Sequence, residues 1–258
     1  MSKLKYAVHD GVDLHGQFYA PSDAVASPIV IAIHGGAWKA GDIRQYQYWG
    51  PWLAERGIAV FAIEYRLVSG ERNRYPAAIR DVTAALKFIV SSASELKIDP
   101  RRIGLIGSSA GAHLAALVAL TADTPVKAAI GVCGVYDLMA QWRHDQIARP
   151  HDQQTEIFLG KPPMEDRLLY QHASPINYAT VQRNKTSFLI GWGTDDDVVD
   201  WQTQSKPFVE ALKQAGCYVR IVPVSDAPHF WMYDPIDEPH SFSARLAPKL
   251  LRFLQERL

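Results

Sequence analysis

A serine, a carboxylate and a histidine stand at positions from which they could act together in nucleophilic catalysis. Ser109 is the centre of Gly107-Ser108-Ser109-Ala110-Gly111, a G-x-S-x-G pattern that follows an apolar run and precedes a helical one. A sharp strand-to-helix turn needs small neighbours and lifts the serine hydroxyl above the strand. The pattern therefore predicts attack by Ser109 on a carbonyl carbon. The alternative is a helix cap in which the serines only bond backbone amides.

A serine nucleophile of this type needs a carboxylate after a late strand. The run FLIGWG is followed by Thr194 and three consecutive aspartates, Asp195, Asp196 and Asp197. We predict Asp196, because the fourth residue of a G-T-x-D-x-V-V loop turns back toward the sheet. Asp195 and Asp197 stay open as alternatives, since loop register is uncertain by about one residue. A purely structural turn explains one aspartate more easily than three.

The base should follow the last strand within a short loop. His229 fits this position, next to Phe230 and Trp231. A histidine that is merely packed in the core is the alternative, and His240 is the second candidate for the base. His113 lies one helical turn beyond Ser109 and is expected to pack or to hydrogen-bond there.

An oxyanion site is predicted by a second motif, His34-Gly35-Gly36-Ala37-Trp38. Glycines let the backbone amides of Gly36 and Ala37 approach a substrate oxygen, and the amide of Ala110 lies at a helix N-terminus. A tight Gly-Gly turn without a catalytic role is the alternative.

Short apolar runs alternate with segments of helical periodicity. This alternation predicts an α/β protein with a mainly parallel sheet covered by helices on both faces. Alternating polarity over Tyr6 to Ala20 predicts an antiparallel hairpin at the sheet edge. The predicted strands are Ile29 to Ile33, Ile58 to Ile63, Ile103 to Ile106, Ala128 to Val132, Phe188 to Ile190 and Tyr218 to Val224, and the predicted helices are Tyr46 to Arg56, Ala77 to Leu96, Ala112 to Ala122, Trp201 to Ala215 and Ala244 to Leu258.

The chain shows no repeat or linker, so residues 1–258 are expected to form one domain. Residues 137–178 carry Pro150, Pro162, Pro163 and Pro175 with mixed polarity, and we expect a short excursion over the active site with a small or absent cap.

Composition excludes several classes of partner. The 258 residues are 48% hydrophobic and carry 27 basic and 27 acidic side chains, which argues against nucleic acid or an acidic membrane as a partner. The two cysteines, Cys133 and Cys217, lack the spacing of a metal or redox site. Without a signal peptide or an apolar span, we expect a cytoplasmic protein. Catalysis by a serine, a histidine and an aspartate requires no metal ion or organic cofactor, so none is expected. The edge strand and C-terminal helix could support a homodimer.

These motifs resemble the α/β-hydrolase superfamily, and the resemblance extends from the Tyr6 hairpin to the final helix. Within it, the chain is similar to the lipase/esterase branch that includes hormone-sensitive-lipase-like members. The motifs that carry this similarity are HGGAW, Glu64-Tyr65-Arg66-Leu67, the segment Tyr75 to Val82 and GSSAGAHLA. The match is closer to the kynurenine-formamidase-like and feruloyl-esterase-like members of the branch. Hormone-sensitive-lipase-like members usually have HGGG and GDSAG, whereas this chain has Ala37 in place of the last glycine and Ser108 in place of the aspartate.

The resemblance implies an α/β-hydrolase fold, an acyl-enzyme on Ser109 and a Ser109–His229–Asp196 triad. The leading hypothesis is a serine carboxylesterase for small esters, aromatic esters among them. An arylformamidase-type amide hydrolase and a non-catalytic ligand-binding protein are the alternatives. Aromatic side chains near the catalytic loops could line the substrate pocket or simply pack these loops; they are Trp38, Trp192, Trp231, Tyr136 and Trp142.

Overall fold

The fold is built on one eight-stranded sheet. The computed structural model describes residues 1–124 and 126–258. The strands are β1 Ser2–His9, β2 Val12–Tyr19, β3 Ser27–Ile33, β4 Ala59–Ile63, β5 Ile98–Ser108, β6 Ala128–Val132, β7 Ser187–Gly193 and β8 Val219–Val224. Their order in the sheet is β1-β2-β4-β3-β5-β6-β7-β8. Strands β3 to β8 run parallel to one another. Strands β1 and β2 form an antiparallel hairpin at one edge, and β2 pairs antiparallel with β4. The predicted α/β architecture, a mainly parallel sheet with an antiparallel edge and helices on both faces, is confirmed.

Helices connect the strands and cover both faces of the sheet. They are α1 Trp49–Ala54, α2 Ala77–Ser91, α3 Ala110–Thr121, α4 Leu138–Ala148, α5 Gln154–Leu159, α6 Arg167–Ala173, α7 Ser205–Gln214 and α8 Phe242–Arg257. Three short 3-10 helices span Ile43–Tyr46, Pro175–Tyr178 and Val181–Arg183. None of the helices within residues 1–124 and 126–258 is long and apolar enough to cross a membrane.

Strand β3 shows why the central strands are apolar at every position. Ile29, Ile31 and Ile33 face one apolar layer, while Val30 and Ala32 face the other, and all five side chains are buried. Successive side chains of a strand point to opposite faces, so a sheet with helices on both sides needs a continuous apolar run. Helices α2 and α3 cover the first layer, and α1 and α8 cover the second.

Several element ends differ from the predicted ones. Helix α2 ends at Ser91, before the predicted Leu96, and α7 begins at Ser205, after the predicted Trp201. Strand β5 begins at Ile98, before the predicted start at Ile103, because Ile98 pairs with Ser27 of β3. The predicted helix Tyr46 to Arg56 is divided into the Ile43–Tyr46 turn and α1. Pro51 fits the start of α1 at Trp49, because proline donates no amide hydrogen and is best accommodated in the first turn of a helix.

Residues 137–178 contain α4, α5, α6 and a 3-10 turn. The segment is held against two parts of the central fold. The carbonyl of Ala173 hydrogen-bonds to His113 in α3, and the carbonyl of Val198 accepts hydrogen bonds from Gln141 and Arg149 of this segment. The segment therefore contacts both the helix that follows Ser109 and the loop that carries Asp196.

Candidate active site

The turn between β5 and α3 presents Ser109. Its backbone has φ 52° and ψ −122°, a conformation outside the regions that most residues adopt. A Cβ on Gly107 would meet the backbone of Gly111, and a Cβ on Gly111 would meet the carbonyls of Ile33 and His34. The two glycines thus allow strand, turn and helix to approach closely enough to raise Ser109 at the end of the sheet.

Three side chains form a continuous hydrogen-bonded chain at this turn. Nε2 of His229 lies 2.9 Å from Oγ of Ser109, and Nδ1 of His229 lies 2.8 Å from Oδ2 of Asp196. A carboxylate only accepts hydrogen bonds, so Nδ1 carries the proton and Nε2 is free to accept the hydroxyl proton of Ser109. The side chains of His229 and Asp196 are almost completely buried. The structure thus brings together the serine, histidine and aspartate that the sequence analysis favoured.

The Asp196 carboxylate is held by its own loop. Oδ1 accepts the amides of Val198 and Val199 at 3.0 and 2.8 Å, which leaves Oδ2 directed at His229. Asp195 and Asp197 are exposed on the same loop. Asp196 is therefore the carboxylate of this loop that contacts the imidazole.

The loop after β3 contains the predicted oxyanion amides. Gly36 and Ala37 both have positive φ values, 111° and 51°. Nδ1 of His34 lies 2.7 Å from the carbonyl oxygen of Gly35 and must donate to it, and burial lowers the pKa of His34, which keeps the ring neutral. Within residues 1–124 and 126–258, no acceptor receives the N–H of Gly36, Ala37 or Ala110. These amides are available to a bound anion.

A small cleft of about 40 Å³ adjoins the serine and the histidine. Its apolar wall comes from the segment after β8, where Phe230 and Tyr233 are exposed and Met232 is buried. The other lining residues are Gly35, Gly36, Gln45, Ser108, Ser109 and His229. Sequence reasoning had not identified Gln45, because no motif marks a residue that reaches the site from a separate turn.

The five aromatic residues proposed for the substrate pocket do not line this cleft. The physical reason is that each packs or hydrogen-bonds elsewhere. Trp38 stacks on Phe158, Tyr136 stacks on Phe208, and Trp192 stacks on Trp201. Trp231 is 1% exposed in the core beside α8, and the indole of Trp142 donates to Glu156 at 2.6 Å. For these side chains the structure favours the packing alternative.

His113 joins three parts of the protein instead of serving the nucleophile. The indole N–H of Trp38 donates to Nδ1 of His113 at 3.1 Å, so the proton of the imidazole is on Nε2, which donates to the Ala173 carbonyl at 2.7 Å. Burial lowers the pKa of His113 to about 4. The ring is therefore neutral at physiological pH and connects the loop after β3, helix α3 and the segment 137–178.

A buried thiol, that of Cys133, lies beside Asp196 and His229. Cys133, Asp196 and His229 each offer one ligand-type atom within 4.8 Å of the others. The Asp196 and His229 atoms already hydrogen-bond to each other and to Ser109, so a metal ion here would have to displace those bonds. Burial, with the nearby charge of Asp196, raises the pKa of the Cys133 thiol well above its ordinary value. The thiol is therefore protonated near neutral pH.

A comparison with models of known protein families assigns this chain to one of them. The model of the BD-FAE family matches residues 17–212, which include Ser109 and Asp196. The chain belongs to the BD-FAE family. The matched region of this BD-FAE member extends from within β2 to the last turn of α7 and thus covers most of the sheet.

Individual relatives of this BD-FAE member are esterases by name. It is 32% identical over 205 residues to the probable carboxylic ester hydrolase LipM of Mycobacterium tuberculosis, covering 74% of this chain and 46% of LipM. It is 29% identical over 245 residues to a probable isoprenylcysteine alpha-carbonyl methylesterase of Oryza sativa, covering 84% and 56%. The chain thus spans about half the length of the curated relatives it matches.

A solved structure matches nearly the whole chain. The thermophilic esterase Est2 of Thermogutta terrifontis, in its native form, has a TM-score of 0.79 and 25% identity and covers 98% of this chain and 92% of its own. The same esterase has been solved with propionate bound. The predicted membership of the α/β-hydrolase superfamily, in an esterase family, is confirmed.

Proposed function

We propose that this BD-FAE member is a serine carboxylesterase that hydrolyses small carboxylic esters through an acyl-enzyme on Ser109. The observation that carries the proposal is the chain of two hydrogen bonds from Ser109 through His229 to Asp196, at 2.9 and 2.8 Å. A neutral histidine with Nδ1 protonated toward a carboxylate is the form that can accept a serine proton. The esterase names of LipM and the Thermogutta enzyme support the same reaction class.

In the proposed mechanism Ser109 attacks the ester carbonyl while Nε2 of His229 takes the hydroxyl proton. The Asp196 carboxylate fixes the imidazole tautomer and stabilises the imidazolium. The oxyanion receives hydrogen bonds from the free amides of Gly36, Ala37 and Ala110. His229 then protonates the leaving alcohol. In the second half of the reaction, water attacks the acyl-enzyme while His229 takes a proton from it. His229 returns this proton to Ser109 as the carboxylic acid leaves. No step uses a metal ion or an organic cofactor.

The size of the cleft supports a substrate with a small acyl group. At about 40 Å³ it is far smaller than the roughly 300–1,000 Å³ of pockets that enclose a whole small-molecule ligand. Phe230 and Tyr233 at its mouth offer aromatic surface to an alcohol group outside it. These features favour short acyl esters of a larger, apolar alcohol.

The same observation favours a second candidate, an arylformamidase-type amide hydrolase. A formyl group needs even less space than an acetyl group. The proposed triad and oxyanion amides can act on the carbonyl of an amide in the same way as on that of an ester. Strong preference for formyl over acetyl groups would distinguish the two candidates.

The test compares kcat/KM for an aryl acetate and an N-formyl aryl amide, with Ser109→Ala as the background. We expect ester turnover that falls by about 10⁴-fold or more in Ser109→Ala. An aryl organophosphonate should label wild-type protein on Ser109 in a one-to-one ratio. Preference for the formamide would support the second candidate. Ligand binding with neither turnover nor labelling would overturn both and favour the non-catalytic binding protein.

The partner expected is a small-molecule ester or amide. A cytoplasmic location and a homodimer stay predictions from the sequence.

A further inference from the structure

Gln45 connects the loop of the proposed oxyanion amides to the turn of the nucleophile. Its side chain is buried in the 3-10 turn Ile43–Tyr46. The N–H of Gly35 donates to Oε1 of Gln45 at 2.7 Å, and Nε2 of Gln45 donates to Oγ of Ser108 at 2.7 Å. Because a backbone amide can only donate, the orientation of the Gln45 amide is fixed, and Nε2 must face Ser108.

The contact of Gln45 completes a set of restraints on Gly35. The His34 carbonyl accepts the hydroxyl of Tyr65 at 3.0 Å, and the Gly35 carbonyl accepts Nδ1 of His34 at 2.7 Å. With Gln45 on the Gly35 N–H, both peptide planes that flank Gly35 are held by side chains. A peptide group is planar, so the bond to the Gly35 carbonyl sets the direction of the Gly36 N–H, and the bond from the Gly35 N–H to Gln45 holds the peptide plane before it.

Of these restraints, the one made by Gln45 relates the loop to the nucleophile. Tyr65 and His34 hold Gly35 within its own region of the fold, whereas Gln45 bonds the residue directly before Ser109. The two backbones are already close, since a Cβ on Gly35 would lie 3.0 Å from the carbonyl oxygen of Ser108. A polar bridge across this contact fixes the distance between the oxyanion amides and Ser109 Oγ.

We propose that Gln45 and Ser108 form a positioning pair that holds the Gly36 amide in register with Ser109. The inference rests on the proposed esterase function. The Ser108 hydroxyl accepts the Gln45 amide without placing a negative charge beside the developing oxyanion.

The test uses Gln45→Met, which keeps the length of the side chain and removes both hydrogen bonds, and Ser108→Ala, which removes one. Gln47→Met is the matched control, because Gln47 is exposed two residues away. We expect kcat for an aryl acetate to fall by about 100-fold in Gln45→Met with KM changed little, because the loss affects the transition state. Ser108→Ala should fall less, and the double variant should match Gln45→Met.

A transition-state analogue gives a readout that a purely structural role would not move. The inhibition constant of an aryl trifluoromethyl ketone should rise in parallel with the loss of kcat/KM across the variants, whereas the melting temperature should not follow that order. If Gln45→Met does not fold, Ser108→Ala still decides the question. Equal kcat values in Ser108→Ala, Gln47→Met and wild type would overturn the proposal.

Hydrogen exchange of the Gly35 amide tests the role of Gln45 independently of whether the protein is an esterase. We expect exchange about 10-fold faster in Gln45→Met than in Gln47→Met, as for loss of one buried hydrogen bond. Unchanged exchange would overturn the positioning pair, even if the wild-type protein hydrolyses esters. Absence of Ser109-dependent turnover together with faster exchange would instead refute the esterase, and leave Gln45 as the residue that holds the loop.

Discussion

His113 should make the stability of this protein depend on pH below neutrality. Burial lowers its pKa to about 4 from an ordinary value of 6.5. Between these values the unfolded chain binds a proton that the folded protein does not, so the free energy of unfolding falls as the pH falls. Each pH unit costs about 1.4 kcal/mol, which amounts to about 2 kcal/mol at pH 5 and about 3 kcal/mol at pH 4. Above pH 6.5 the contribution is fully present.

The assay is urea unfolding of wild type and His113→Gln at a series of pH values from 7 to 4. Glutamine can still donate to the Ala173 carbonyl but does not titrate. The variant can be less stable at every pH, because Trp38 loses its acceptor. The prediction concerns the slope: the difference in unfolding free energy between the two proteins should shrink by about 2 kcal/mol from pH 7 to pH 5.

His240→Gln is the matched control, because His240 is exposed. Its unfolding curve should stay parallel to that of wild type over the same range. Other titrating groups, including His34, are common to all three proteins and cancel in the comparison. Parallel curves for wild type and His113→Gln would refute the reasoning, since they would mean that His113 takes up protons equally in the folded and unfolded states.

Three further predictions follow from single contacts. Asp196→Asn should lower kcat for an aryl acetate by about 10⁴-fold, because His229 loses the partner that fixes its tautomer. Asp195→Asn should have a nearly normal kcat. A larger loss in Asp195→Asn than in Asp196→Asn would contradict the assignment of Asp196 as the partner of His229. Trp38→Phe should cost about 1–3 kcal/mol in urea unfolding by leaving a buried acceptor on His113 unpaired, and an unchanged midpoint would contradict it. Cys133 should resist a disulfide reagent at pH 8 in the folded protein and react in urea, because burial raises the pKa of its thiol; fast native labelling would contradict this.

Local patterns were enough to predict the architecture of this protein. The apolar run Ile29 to Ile33 is buried on both faces of β3, and the hairpin over Tyr6 to Ala20 is the antiparallel edge. These features follow from short-range chemistry, because side-chain period and turn residues belong to neighbouring positions. The order of serine, aspartate and histidine along the chain was readable in the same way, since each follows a strand end at the same edge of the sheet.

Contacts between distant parts of the chain could be decided only by the tertiary structure. The sequence could not show that Trp38, Tyr136 and Trp231 pack inside the protein, because an aromatic residue suits a core and a pocket equally well. Nor could it connect Gln45 with Ser108, which are 63 residues apart. Such contacts depend on how strands and loops lie against each other in space, which composition and periodicity do not encode.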